Sequence, residues 1–174
     1  PEPAKGGGDV AGAALSLLRA VGDKVLCVHL EETIVQHRDV SPAHGFLTKI
    51  RGVGGKIASF YLRDLVVVLG TPVADFRNRE LLQPIDTWVR RTVQMLAGSQ
   101  RLDDPEIAEW IVNNSQRHGV SPERVNMGVW FYCSQIAASE YRLGRSIRDS
   151  AHAEALVREY QGRLERVVQN CWRA

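Results

Sequence analysis

Cysteine is scarce in this chain: Cys27, Cys133 and Cys171 lie far apart and form no C-x-x-C pair. So sparse and odd a set argues against a disulfide framework and fits thiols kept reduced inside a cell, in the cytoplasm or nucleoid. It also leaves no group of four closely spaced thiolates for an iron–sulfur cluster. The five histidines (His29, His37, His44, His118 and His152) show no metal-ligand spacing. They are expected at the surface or as satisfied interior residues, and neither a metal nor a cofactor is expected. No apolar run approaches the roughly 20 residues of a membrane-spanning helix. No signal peptide is expected, since residues 1–8 are polar and glycine-rich and read as a flexible lead-in or linker. With no initiator Met at its start, the chain is expected to begin downstream of the native N-terminus.

What remains is a globular composition, 44% hydrophobic and 24% charged over 174 residues, enough for one domain with a real core. The net charge of +2 says little about partners, but its distribution says more. Between Lys49 and Arg101 nine Lys/Arg face four acids, so that segment carries +5 and the remainder −3. A basic centre between mildly acidic ends suits a polyanion held at one face, although solvated helix faces would look the same.

Nearly every segment has helical period. Val10, Ala13, Ala14, Leu17, Leu18 and Val21 form one apolar stripe behind a candidate N-cap at Asp9. Asp23 can cap a second helix reaching about His37, although residues 25–30 alone could pass for a strand. Asp104-Pro105-Glu106 and Ser121-Pro122-Glu123 share a start signal: a capping side chain, proline, then an acid on the positive helix end. These two helices are expected to reach about His118 and Glu140. A last helix from about Ser150 puts Leu156, Tyr160, Leu164, Val167, Val168 and Cys171 on one side. Residues 70–79 lack periodicity and read as a loop. There is no convincing β-hairpin and no internal repeat. The expected fold is all-α, a helical bundle or partial helical barrel, with residues 9–174 as a single domain.

One stretch stands out. Ile50-Arg51-Gly52-Val53-Gly54-Gly55-Lys56-Ile57-Ala58 has the form apolar-x-Gly-apolar-Gly-x-x-x-Ala. The glycines allow positive φ and close backbone approach in a tight turn. Val53 can tuck into the angle of two helices, and Ala58 permits close helix packing. The turn opens directly into a helix expected over residues 55–69, whose free N–H groups form a phosphate site without base preference. Gly52, Val53, Gly54 and Gly55 are therefore the candidate DNA-binding residues. A lone G-x-G would be an ordinary helix–helix turn; the nine-residue pattern in a helical setting favours nucleic acid.

This pattern resembles the hairpin of the helix-hairpin-helix base-excision glycosylases, the group that includes endonuclease III and 8-oxoguanine DNA glycosylase. In members that also cleave the strand, the residue two after the second glycine is a catalytic lysine, which is Lys56 here. The family then has an essential aspartate in a Pro-apolar-Asp-x-x-apolar motif. Pro84-Ile85-Asp86-Thr87-Trp88-Val89 matches it, with Asp86 in that role. Lys56 and Asp86 stand 30 residues apart, a spacing that looks more like the archaeal 8-oxoguanine glycosylase branch than the endonuclease III type. Trp88 occupies a position that is often His in the family. Only about 45 residues precede the hairpin, too few for the helical barrel usually found there, which implies a compact member or a piece of a longer protein.

The resemblance implies a DNA glycosylase with abasic-site lyase activity, acting on double-stranded DNA that contains an oxidised purine such as 8-oxoguanine or an abasic site. The Lys56 amine would attack the sugar C1′, displace the base and leave a Schiff base that undergoes β-elimination. Asp86, ionised at a helix start, would support positive charge developing on the sugar. A flipped base needs aromatic or apolar walls, and Trp88, Trp130, Phe131 and Tyr132 are the candidates, with Trp130 foremost and Asn126 offering an amide, although each aromatic also suits a core. The competing expectation is a non-catalytic helix-hairpin-helix module of a larger repair or recombination protein, with Lys56 as a phosphate contact and Asp86 as a cap.

Overall fold

Capping residues and glycine stops divide the chain into helices. The computed structural model describes residues 18–19 and 21–171, and among these it has eight α-helices and no strand beyond one isolated bridge. The fold is all-α. The helix expected on residues 9–21 lies almost wholly outside the described residues. No helix among them is long and apolar enough to cross a membrane. The chain divides into two compact units with the boundary between Pro84 and Ile85.

In the first unit, α1 (Leu26–His37), α2 (Ser41–Thr48) and α3 (Gly55–Leu69) precede a 3-10 turn at Arg79–Leu82. Leu30 and Ile34 of α1, Ala43 and Leu47 of α2, and Ala58, Leu62, Leu65 and Val66 of α3 bury one shared core. Within each helix these residues recur at three- and four-residue steps (30/34, 43/47, and 58/62 followed by 65 and 66), the spacing that lines one helix face. Asp23 does not cap α1: Val25 holds the N-cap position with no side-chain bond, and residues 26–30 are helical rather than strand. Arg38 ends α1 with φ 47°, and its N–H reaches back to the Ile34 and Val35 carbonyls.

The aperiodic stretch after α3 has a structural task. It returns to the α1–α2 corner, where the Val40 N–H donates to the Arg77 carbonyl at 3.1 Å and the Arg77 N–H to the Arg38 carbonyl at 3.0 Å. Asp39 gathers this corner: its carboxylate accepts from the Ser41 N–H and from the Asn78 amide, both at 2.8 Å, and faces the Arg77 guanidinium at 3.2 Å. The Asn78 hydrogen bond leads the forces that hold the Asp39 carboxyl below the ordinary carboxylate range, against the opposing effect of burial.

In the second unit, α4 (Thr87–Ala97), α5 (Asp104–Arg117), α6 (Pro122–Phe131), α7 (Glu140–Arg148) and α8 (Ser150–Cys171) follow one another. The cap of α5 is Asp103, one residue before the expected Asp104: Asp103 accepts from the Glu106 N–H while Glu106 accepts from the Asp103 N–H, both at 2.9 Å. Ser121 caps α6 by accepting from the Arg124 N–H. The α6 helix stops short of the expected Glu140. A π-helical turn at Tyr132–Ala137 widens the coil and ends at Ala138 with φ 54°. Cys133, Ile136 and Ala137 of this turn are buried. Ser139 then caps α7. On α8 Leu156 is buried, whereas Leu164, Val167 and Val168 of the same stripe stay about half exposed.

Two predictions come from these elements. At the α2–α3 turn only Gly52 has positive φ, at 87°, whereas Gly54 has an ordinary extended backbone with open space where a Cβ would go. Gly52→Ala should therefore cost about 1–2 kcal/mol in denaturant unfolding, and Gly54→Ala less than about 0.5 kcal/mol. Equal costs would contradict the turn geometry. For Asp39, the depressed carboxyl in the folded state means that its stabilisation is complete above the unfolded value near 3.9. It should be lost as pH falls through the lower folded value. Unfolding followed from pH 5 to pH 2 should show a weaker pH dependence in Asp39→Asn than in the unsubstituted protein.

Candidate functional site

The α2–α3 turn is built from six residues, 49–54. The Ile50 N–H closes on the Leu47 carbonyl and the Val53 N–H on the Ile50 carbonyl, each at 3.0 Å. Ile50 and Val53 are half-buried and pack against the core of the first unit, so the loop is pinned from below. Gly52 supplies the reversal between them through its positive φ. Val53 thus packs inward as its position in the motif implies. Of the motif's glycines, only Gly52 takes positive φ; Gly54 and Gly55 do not.

Gly54 is the N-cap of α3 and has no side chain to offer. The Ala58 N–H makes the first bond, to the Gly54 carbonyl at 3.0 Å. The amides of Gly55, Lys56 and Ile57 have no acceptor among the described residues, as expected for an uncapped helix start. Residues 54–57 are all exposed, while Ala58 and Ser59 turn inward. The exposed corner therefore presents three unsatisfied N–H groups and the Lys56 ammonium, with Lys49 and Arg51 on the turn before them. Donors, dipole and side-chain charge share one sign, the condition for attracting an anion.

His44, which sequence reasoning left as a generic surface or interior histidine, belongs to this corner. Its Nε2 lies 3.2 Å from the Gly55 carbonyl oxygen and 3.5 Å from Ser59 Oγ. The signal was its place on α2, eleven residues before Gly55, but that spacing has meaning only once the turn is known.

In the second unit, Asp86 caps α4, its Oδ1 accepting from the Val89 N–H at 2.8 Å. Asp86 is half-buried, and Ile85 beside it enters the core with Val89, Val93, Ile107 and Ile111. The helix start holds the carboxylate by a backbone bond and by the positive end of the helix.

The three expected base-pocket residues fall in different settings. Trp88 is half-buried and packs against the cluster of Cys133, Ala137 and Leu143. Asn126 is wholly buried, whereas Trp130, one turn later on α6, is 39% exposed. One helical turn thus separates a core amide from a surface indole. A space exists beside them: a cavity of about 260 Å³ bordered by Thr92, Gly128, Tyr132, Cys133, Leu143 and Ser146. The Tyr132 hydroxyl donates to Ser146 Oγ at 2.6 Å along its rim. Burial pushes the Cys133 thiol above its ordinary range, a rise opposed by the Thr92 hydroxyl at 3.3 Å and added to by the negative Asp86. Such a thiol stays protonated and is a poor nucleophile. A larger cleft of about 520 Å³ lies between α4 and α7, with Arg91, Gln94, Gln100, Glu140 and Arg148 on its walls and an ion pair joining Arg91 to Glu140. Arg145 and Arg148 stand in the last turn of α7, where they offset its partial negative charge, whereas α4 has no basic residue in its last turn.

Comparison with protein-family models, with curated proteins and with solved structures finds no match to this chain.

Proposed function

We propose that this chain is a DNA-repair glycosylase with abasic-site lyase activity, and that it excises an oxidised purine such as 8-oxoguanine through a Schiff base on Lys56. The observation that carries the reading is the exposed Lys56 in the first turn of α3, where the amides of residues 55–57 have no acceptor among the described residues. Backbone phosphates of duplex DNA are the ligand such a corner suits, and their contacts carry no base preference.

The chemistry follows from an amine held at bound DNA. The neutral Lys56 Nζ attacks C1′ as the N-glycosidic bond breaks, and the base leaves with a proton. Opening of the sugar gives an imine between Nζ and C1′. Loss of a C2′ proton then expels the 3′ phosphate, and water releases the enzyme. In the resemblance the aspartate supports the developing cation, and Asp86 is a carboxylate fixed by its own helix start. None of these steps draws on a cofactor.

A second reading has its own support. The α2–α3 turn stands on a core confined to the first unit, as a self-contained binding module would. In that reading Lys56 contacts phosphate and Asp86 only caps α4.

The two readings part in one experiment. Borohydride reduction of the protein on abasic-site duplex should trap a covalent adduct, and Lys56→Ala should abolish it. DNA affinity in that variant should stay within a few-fold, since one phosphate contact among several contributes about 1 kcal/mol. Asp86→Asn should keep the cap, because asparagine caps nearly as well as aspartate. Its rate should fall while the thermal midpoint barely moves. Trapping that persists in Lys56→Ala moves the nucleophile elsewhere, and no trapping by the unsubstituted protein leaves the binding module.

Affinity itself should fall steeply with salt, because each neutralised phosphate contributes about 0.9 to the slope of log affinity against log salt. Lys56→Ala should lower that slope by about one. Salt-insensitive binding, or none, would remove the hairpin as a DNA contact.

A further inference from the structure

We infer that His44 is a positioning residue for Lys56, an inference that rests on the reading of Lys56 as the nucleophile. His44 sits on α2, and its ring reaches across the turn to α3. An Nε2 atom at 3.2 Å from the Gly55 carbonyl oxygen must carry its proton, because a carbonyl only accepts. The same nitrogen lies 3.5 Å from Ser59 Oγ. Gly55 and Ser59 are one turn apart, so the imidazole touches both ends of the turn that carries Lys56.

The His44 ring lies close against Gly55. A Cβ there would stand 3.8 Å from His44 Cε1, in ordinary contact, so the ring already lies against the glycine. Ser59 is buried and His44 half-buried, which shields the pair from water on one side while residues 54–57 face outward. No side chain caps α3, so its first turn depends on what braces it from neighbouring elements. The His44 bond is such a brace. It fixes the Gly55–Lys56 peptide against α2 and limits the arc that the Lys56 side chain sweeps. A hydrogen bond to a carbonyl also polarises its peptide, so the Lys56 amide nitrogen senses the same contact.

His44→Phe keeps a planar ring and removes the donor; His44→Gln keeps a donor without the ring. At saturating abasic-site DNA, His44→Phe should trap about five- to tenfold more slowly, the scale of one lost hydrogen bond. Its DNA affinity should change by less than about twofold. His44→Gln should trap at close to the unsubstituted rate. In the free protein the Lys56 amide 15N resonance should move in His44→Phe and return in His44→Gln. A filler of space would predict the reverse order, with the ring-preserving Phe variant active and Gln impaired. Unchanged trapping in His44→Phe, or equal loss in both variants, overturns the inference. If the unsubstituted protein traps nothing, the nucleophile reading fails by itself, and the amide resonance alone decides whether His44 fixes this peptide: moved in Phe and restored in Gln upholds that role, and unmoved overturns it.

Discussion

Six residues must turn the chain from α2 into α3 while leaving the start of α3 bare, and the candidate site depends on that constraint. The turn meets it by anchoring two apolar side chains, Ile50 and Val53, in the core below and giving the reversal to Gly52. With the anchors inside, residues 54–57 have nowhere to face but outward. A side-chain cap at position 54 would satisfy one of the amides and weaken the corner as an anion site. Glycine there is therefore better explained by the missing cap than by backbone freedom, since its φ of −80° suits any residue.

The second unit spends its polar side chains differently. Asp86, Asp103, Ser121 and Ser139 each close a helix start internally, the opposite of the bare start of α3. Capped starts stabilise the helices that carry them, by roughly 1 kcal/mol each. An uncapped start gives up that stabilisation and has to be braced from outside. Among the described residues, α2 provides the brace through His44.

Local chemistry was legible in the sequence and packing was not. The bounds of α3 and the start of α8 fall where the glycine, periodicity and turn signals put them, because these signals act on the residues that carry them. The expectation failed where a distant partner decides. Asp23 has the right side chain for a cap, yet α1 begins three residues later behind Val25. The interruption of the expected helix after Phe131 has no proline or glycine at its site. Its partners are distant in sequence: Cys133 and Ala137 cluster with Leu143, and the Thr92 hydroxyl lies 3.3 Å from Cys133 Sγ. Asn126 and Trp130 were grouped by sequence proximity, and one turn of α6 separates a fully buried residue from an exposed one. His44 escaped notice for the same reason, since its partner is a backbone carbonyl that no composition or spacing signals.

Stability and recognition are therefore separable along α3. The inward face, Ala58, Leu62, Leu65 and Val66, holds the first unit together, and each large member would cost about 2–5 kcal/mol if truncated to alanine. The outward corner at 54–57 buries no side chain: its side chains are exposed, and its amides have no acceptors among the described residues. Residues that do not contribute to the fold are free to be selected by a ligand. A lysine, bare amides and a helix dipole of one sign on such a corner would repel one another in an isolated protein, and a bound anion relieves that repulsion. The backbone of duplex DNA is an anion that also brings a sugar C1′ within reach of an amine, which is why a lysine at this position, rather than any cation nearby, makes the lyase reading worth testing.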